Sequence, residues 1–390
     1  MAMVNLVAVN FGFFHVSLES VFYYILCLLL FKIGELAVEK IAHPAVYDAK
    51  VMSFQKEQMQ EIFNYYTRFF IGVAIISIVA SGIHFIRALN EVGGWMFLAS
   101  KEFEEAYGKG ILSHVGQLNK PAFMFLFGYF FFSKKKYVPI LLFLMFMAVL
   151  LLQIKTHIIT TLLSGILFCY FFGIIKINLK KLLLYSLIIF ALFNISYMIG
   201  FSKINVAESF SSDVQIALAN HFFTYLFGGS IGFSEILKFS NYPLYSPDEI
   251  FAVPINLYNV FYGGNEVVDV VIYNWIPVST NYQYFHSSNV FNLFGVLYMY
   301  LGWWGTFLYV FALGVVSQVL KIAAIKKGAT FGLQMAYVYF LCFLMLAFFN
   351  IFFNQLQVYE GGVLMVLLPT LFVIYNKIKS YLSDSIAVTT

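Results

Sequence analysis

The sequence predicts an all-α, polytopic integral membrane protein, and three features carry that prediction: an apolar composition, uncharged runs of bilayer length, and lysines gathered between those runs. Of 390 residues, 61% are hydrophobic and 11% charged, with a mean hydropathy of +0.84. That leaves too little polar surface to cover a water-soluble core of this size. A helix crosses a hydrocarbon layer of about 30 Å in roughly 20 residues. Continuous apolar runs of that length exclude a β-barrel, whose strands alternate in polarity. Cys27, Cys169 and Cys342 each lie inside an apolar run, so they imply neither a disulfide framework nor a metal site. No basic start with a small-residue cleavage site marks a signal peptide. The net charge of +4 reports loops on one side of the membrane and does not call for a nucleic-acid partner.

Hydropathy places nine spans, at 14–35, 63–88, 113–132, 137–153, 156–175, 182–201, 290–319, 329–350 and 359–376. Lysines cluster at Lys134, Lys135 and Lys136, at Lys176, Lys180 and Lys181, at Lys321, Lys326 and Lys327, and at Lys377 and Lys379. With nine spans, all four clusters share one face, which the positive-inside bias makes cytoplasmic. The segments 89–112, 154–155, 202–289 and 351–358 then lie outside, and the uncharged N-terminal tail is exported. The chain divides into an N-terminal bundle (1–201), a large extracytoplasmic loop (202–289), three C-terminal spans (290–376) and a cytoplasmic tail (377–390). The halves do not echo each other. Secondary transporters are commonly built from repeats, so the asymmetry favours chemistry on one face over alternating access.

The 88-residue loop holds 18 aromatic residues, seven acids, two lysines and no arginine. Ser212-Asp213-Val214-Gln215 fits a capping box that starts a helix, and Gly228-Gly229 is expected to stop it. A second short helix is expected over 232–239. Asn241, Pro243, Ser246 and Pro247 punctuate turns, and aromatic-rich coil follows to about Phe285. Rings interleaved with carboxylates, amides and histidines suit carbohydrate, which offers C–H faces for stacking and hydroxyls for hydrogen bonds. Nucleic acid would call for arginines. An interfacial aromatic belt also explains single rings, but a belt has no need of seven acids.

Basic residues gather where the spans should emerge. Lys155 sits between two apolar runs beside His157, where a charge is costly unless solvated or paired. His84 and Arg87, three apart, share a helix face. With Lys101 they could form a cationic pocket for a phosphate or pyrophosphate, against the alternative of ordinary snorkelling to the interface. Arg68, near the other end of the same span, is expected to be only an anchor.

After the loop the chain reads His286-Ser287-Ser288-Asn289-Val290-Phe291-Asn292-Leu293-Phe294 and then Leu297-Tyr298-Met299-Tyr300-Leu301-Gly302-Trp303-Trp304-Gly305. This resembles the Asn-Val-Tyr-Thr-Phe-Phe and Leu-Tyr-x-Asp-Phe-Gly-x-x-Gly pattern of O-antigen polymerases of the Wzy type, the oligosaccharide repeat unit polymerases. Lys155-Thr156 and Tyr225-Leu226-Phe227-Gly228-Gly229 are similar to further segments of that family, and the resemblance runs over about 60–370. Tyr300 stands where the family often has Asp. Many members carry two more spans ahead of the first one here.

The resemblance implies a GT-C-like membrane glycosyltransferase with a large periplasmic loop bearing short amphipathic helices, at the bacterial inner membrane. Its implied donor and acceptor are undecaprenyl-pyrophosphate-linked glycans, and it calls for no metal or cofactor. A chain-length-regulating membrane protein of the Wzz kind is an implied partner. Arg87, Lys101, Lys155, His84 and His157 would then hold the pyrophosphate, whose departure needs cationic stabilisation. His221 or His286, with Asp213, Asp248 and Glu249 behind them, would supply the base, and Tyr225 and Asn289 would contact the glycan. The rivals are a flippase or transporter of lipid-linked oligosaccharide, an O-antigen ligase, and a scaffold whose loop docks an envelope protein.

Overall fold

A computed structural model describes residues 8–10, 12–42, 56–98, 100–133, 135–151, 155–178, 180, 184, 187–188, 191, 211–238, 245–263, 267–268, 275–280, 287–289, 291–326, 328–347 and 350–389. The protein is helical and membrane-embedded. Its helices are α1 (Leu18–Ile41), α2 (Lys56–Glu91), α3 (Lys101–Gly108), α4 (Ile111–Gly116), α5 (Asn119–Ser133), α6 (Tyr137–Leu151), α7 (Lys155–Phe171), α8 (Ser212–Ile236), α9 (Ala252–Tyr262), α10 (Leu293–Ile325), α11 (Phe331–Leu346) and α12 (Leu356–Thr389). Two short strands, β1 (Ile276–Pro277) and β2 (Ser287–Ser288), pair antiparallel. Among the described residues, four helices, α1, α2, α10 and α12, are long and apolar enough to cross a membrane. Isoleucines and valines such as Ile75, Ile76, Val79, Ile83 and Ile86 stand exposed along α2, as suits a lipid surround.

The chain packs as two compact units, each assembled from separated segments. One comprises Met1–Pro44, Phe190–Leu320 and Phe343–Val358; the other comprises Ala45–Ile189, Lys321–Cys342 and Tyr359–Thr390. In the first unit Ser17 caps α1 by accepting from the Ser20 N–H at 3.2 Å. Its own N–H donates to Ser234 Oγ on α8 at 2.7 Å. Tyr23 is fully buried and packs against Phe233, Tyr298 and Trp303. A Cβ on Gly34 would overlap the Phe311 carbonyl and one on Gly314 the Phe31 carbonyl, so α1 and α10 touch backbone to backbone.

In the second unit, α5 is the hub, packed against α2, α6 and α7. Phe63, Phe70 and Phe125 form a ring stack buried against Phe331 of α11 through Phe125. Gly128 and Gly165 let α5 and α7 close: a Cβ on the first would meet Phe168, and on the second Phe127. Ala88, Leu89, Phe103 and Tyr107 make a small cluster that holds α3 against the end of α2.

Several expected elements differ. The expected span 113–132 is two helices, α4 and α5, separated at Gln117-Leu118, because a Pro at 121 fits only the first turn of a new helix. The helix started near Ser212 is capped one residue earlier, by Ser211 Oγ accepting from the Val214 N–H at 3.4 Å. It does not stop at Gly228-Gly229; α8 runs unbroken to Ile236, taking in the start of the second helix expected over 232–239. Gly228 and Gly232 serve packing: a Cβ on Gly228 would meet Ser288, and one on Gly232 would meet Phe291. The expected coil contains a 3₁₀ turn, Pro247–Glu249, capped by Ser246, and then α9, closed by Gly263 in the left-handed region at φ 81°. Helix α10 breaks at Gly302 (φ 62°, ψ −165°). Most of the expected span 182–201, the turn residues Asn241 and Pro243, and His286 lie outside the described residues.

Candidate functional site

Two adjoining clefts in the second unit carry its convergent polar chemistry. The first is lined by Ser81, His84, Tyr107, Gln117, Asn119 and Lys120, with His157 and Thr161 from α7, and offers about 40 Å³ to water-sized molecules. The second, about 170 Å³, is lined by His84, Arg87 and Glu91 of α2 and by Lys109, Gly110 and Leu112 beyond α3. His84 and Leu112 belong to both.

His84 is placed with care. Its Nε2 lies 2.7 Å from the Tyr107 carbonyl oxygen. A carbonyl can only accept, so Nε2 carries the proton, and in the neutral ring Nδ1 is left as the acceptor. The imidazole stacks on Tyr107, with centroids 5.0 Å apart. The Tyr107 hydroxyl donates to the Ser81 carbonyl at 3.4 Å. Burial pushes that phenol up to about 12, so it stays a neutral donor. His84 Nδ1, Gln117 Oε1 and Asn119 Oδ1 are buried and have no hydrogen-bond partner among the described residues. Asn119 is anchored by its Nδ2, which donates to the Met145 carbonyl at 2.9 Å. Lys120 sits with its Nζ 5.9 Å from the centroid of the Tyr339 ring. Nearby, His114 Nδ1 and Glu360 Oε1 are 2.6 Å apart.

Of the residues expected to bind pyrophosphate, His84, Arg87 and His157 come together at these clefts. Arg87 is exposed, one turn beyond buried His84. Lys101 begins α3 and Lys155 begins α7, but their side chains lie outside the described residues. The expected acids and glycan contacts belong to the other unit. Asp213 is exposed in the first turn of α8, and Asp248 is exposed beside half-buried Glu249. Asn289 is half-buried just after β2. His221 and Tyr225 lie on α8, with side chains outside the described residues, as is His286 entirely.

Among the lining residues not singled out from sequence are Lys109, Gln117, Asn119 and Lys120. The signal for three of them is the polar string Gln117-Leu118-Asn119-Lys120-Pro121 inside an otherwise apolar run, which marks a broken span. Tyr300, where the polymerase pattern has Asp, donates its hydroxyl to Glu249 Oε2 at 2.6 Å, so a carboxylate stands one hydrogen bond from that position.

Residues 11–381 match the model of a protein family described as a family of unknown function (DUF6337). No curated protein and no solved structure matches the chain.

Proposed function

The chain belongs to the DUF6337 family, and since that family's description carries no activity, we propose a function from the clefts themselves: polymerisation of undecaprenyl-pyrophosphate-linked oligosaccharide repeat units at the periplasmic face of the bacterial inner membrane. The observation that supports it best is the gathering of Arg87, Lys109 and His84 around one cleft at the end of an apolar helix. Cations at such a place suit a lipid-borne phosphate, because they stabilise charge where a pyrophosphate departs. In the reaction, an acceptor hydroxyl attacks the anomeric carbon of the donor glycan. The bond from that carbon to the pyrophosphate oxygen breaks, the pyrophosphate leaves with the electron pair, and a base takes the hydroxyl proton. His221, His286, Asp213, Asp248 and Glu249 are the candidates for that base, and Tyr225 and Asn289 for glycan contacts. The proposal keeps nine spans in a GT-C-like bundle, with 202–289 periplasmic and the C-terminus cytoplasmic.

Purified protein incubated with lipid-linked repeat units should produce a ladder of longer lipid-linked glycans. Unchanged substrate, in the presence of every component needed for activity, would sink the polymerase.

A second reading has an observation of its own. The breaks at Gln117-Leu118 and at Gly302 give two discontinuous apolar helices, as transporters use near their substrate sites. A flippase of lipid-linked oligosaccharide would move fluorescent substrate between leaflets of a proteoliposome without lengthening it.

A further inference from the structure

The polar cleft is built for something the basic cleft does not explain. Arg87 and Lys109 present cations to a phosphate, although Lys109 Nζ also lies 3.5 Å from Glu105 Oε2 and Glu91 shares the lining. Next to them, across His84, stand three buried acceptors: His84 Nδ1, Gln117 Oε1 and Asn119 Oδ1. These residues are 5%, 9% and 4% exposed. Leaving a buried acceptor unpaired costs the full desolvation of that group, and here three such groups line one cleft. Two of the three are held in place, His84 by the Tyr107 carbonyl and Asn119 by the Met145 carbonyl. Lys120 and His157 share that lining, but the three acceptors have no use for a phosphate oxygen. They suit hydroxyl donors.

We infer that the two clefts form one bipartite site for a phosphate bearing neighbouring hydroxyls, with the phosphate on Arg87 and Lys109 and the hydroxyl edge donating to His84, Gln117 and Asn119. This rests on the polymerase reading for one of its two possible ligands, the first sugar of a glycosyl diphosphate lipid. The other is the polyol headgroup of a bilayer phospholipid, which has the same chemistry.

The test measures binding to the full chain in phosphatidylcholine nanodiscs. Farnesyl diphosphate is compared with farnesyl-diphosphate-linked N-acetylglucosamine, and phosphatidic acid with phosphatidylglycerol. The hydroxyl-bearing member of at least one pair should bind about tenfold more tightly, the scale of one or two hydrogen bonds. Gln117→Met should erase that preference, and an unchanged thermal midpoint shows the variant is folded. Gln117→Glu keeps an acceptor and should keep the preference; Arg87→Ala should weaken every probe. Preference for the sugar identifies a glycosyl diphosphate, and preference for phosphatidylglycerol alone identifies a headgroup. Equal affinity within both pairs, or a preference that survives Gln117→Met, overturns the site. Elongation without preference overturns this site alone, and preference without elongation overturns the polymerase alone.

Discussion

His84 illustrates how much a single side chain depends on its second contact. Its sequence position three before Arg87 places both on one face of α2, but only the Tyr107 carbonyl assigns its proton to Nε2. Arg87, exposed at the mouth of the basic cleft, is the residue whose loss should cost most. On the proposed function, Arg87→Ala should lower elongation about 100-fold at unchanged membrane abundance, as removal of one charge-stabilising donor does elsewhere. Arg87→Lys should fall between, since a point charge replaces a bidentate fork; glycan ladders from purified variants check both. In the other unit, Tyr300→Phe removes the hydroxyl that donates to Glu249. The expected cost is about 1 kcal/mol, read as a lowered thermal midpoint. Arg87, His84 and His157 were legible as ionisable groups at the edges of apolar runs. Gln117 and Asn119 were not, because an amide becomes a site only when its neighbours leave it unpaired.

At the level of elements, the glycines separate packing from punctuation. Gly228 reads as a helix stop, yet α8 passes through it because Ser288 fills the space a side chain would take. Gly314 sits where the Phe31 backbone crosses, so Gly314→Leu should destabilise the protein by about 2–3 kcal/mol, the usual scale of overpacking. Gly72→Leu on α2, where nothing lies within 4 Å, should leave the thermal midpoint near that of the parent. Equal shifts in the two variants would remove the close α1–α10 crossing as an explanation. Helices were legible wherever a long apolar run was unbroken, as in α1 and α2. The break between α4 and α5 was missed because the window that finds a span averages over Gln117, Asn119 and Lys120.

For the whole molecule, the proposed topology places the lysine clusters on the cytoplasmic face and residue 246 on the other. The native Cys27, Cys169 and Cys342 are buried, so one introduced thiol gives a clean signal. Ser246→Cys, at an exposed position, should react with an impermeant maleimide from the periplasm, and Lys379→Cys only after the inner membrane is opened. The reverse pattern would invert the proposed topology. The sequence by itself determined that this is a helical membrane protein, because hydropathy and helix length are properties of contiguous residues and need no partner. Only the tertiary structure decided that 1–44 packs with 190–320 and 343–358, and that α2, the ends of α3 and α5, and α7 close around two clefts. Those facts depend on which residues meet across tens or hundreds of positions. No local pattern encodes that, so the clefts beside the broken helix were not legible in the sequence.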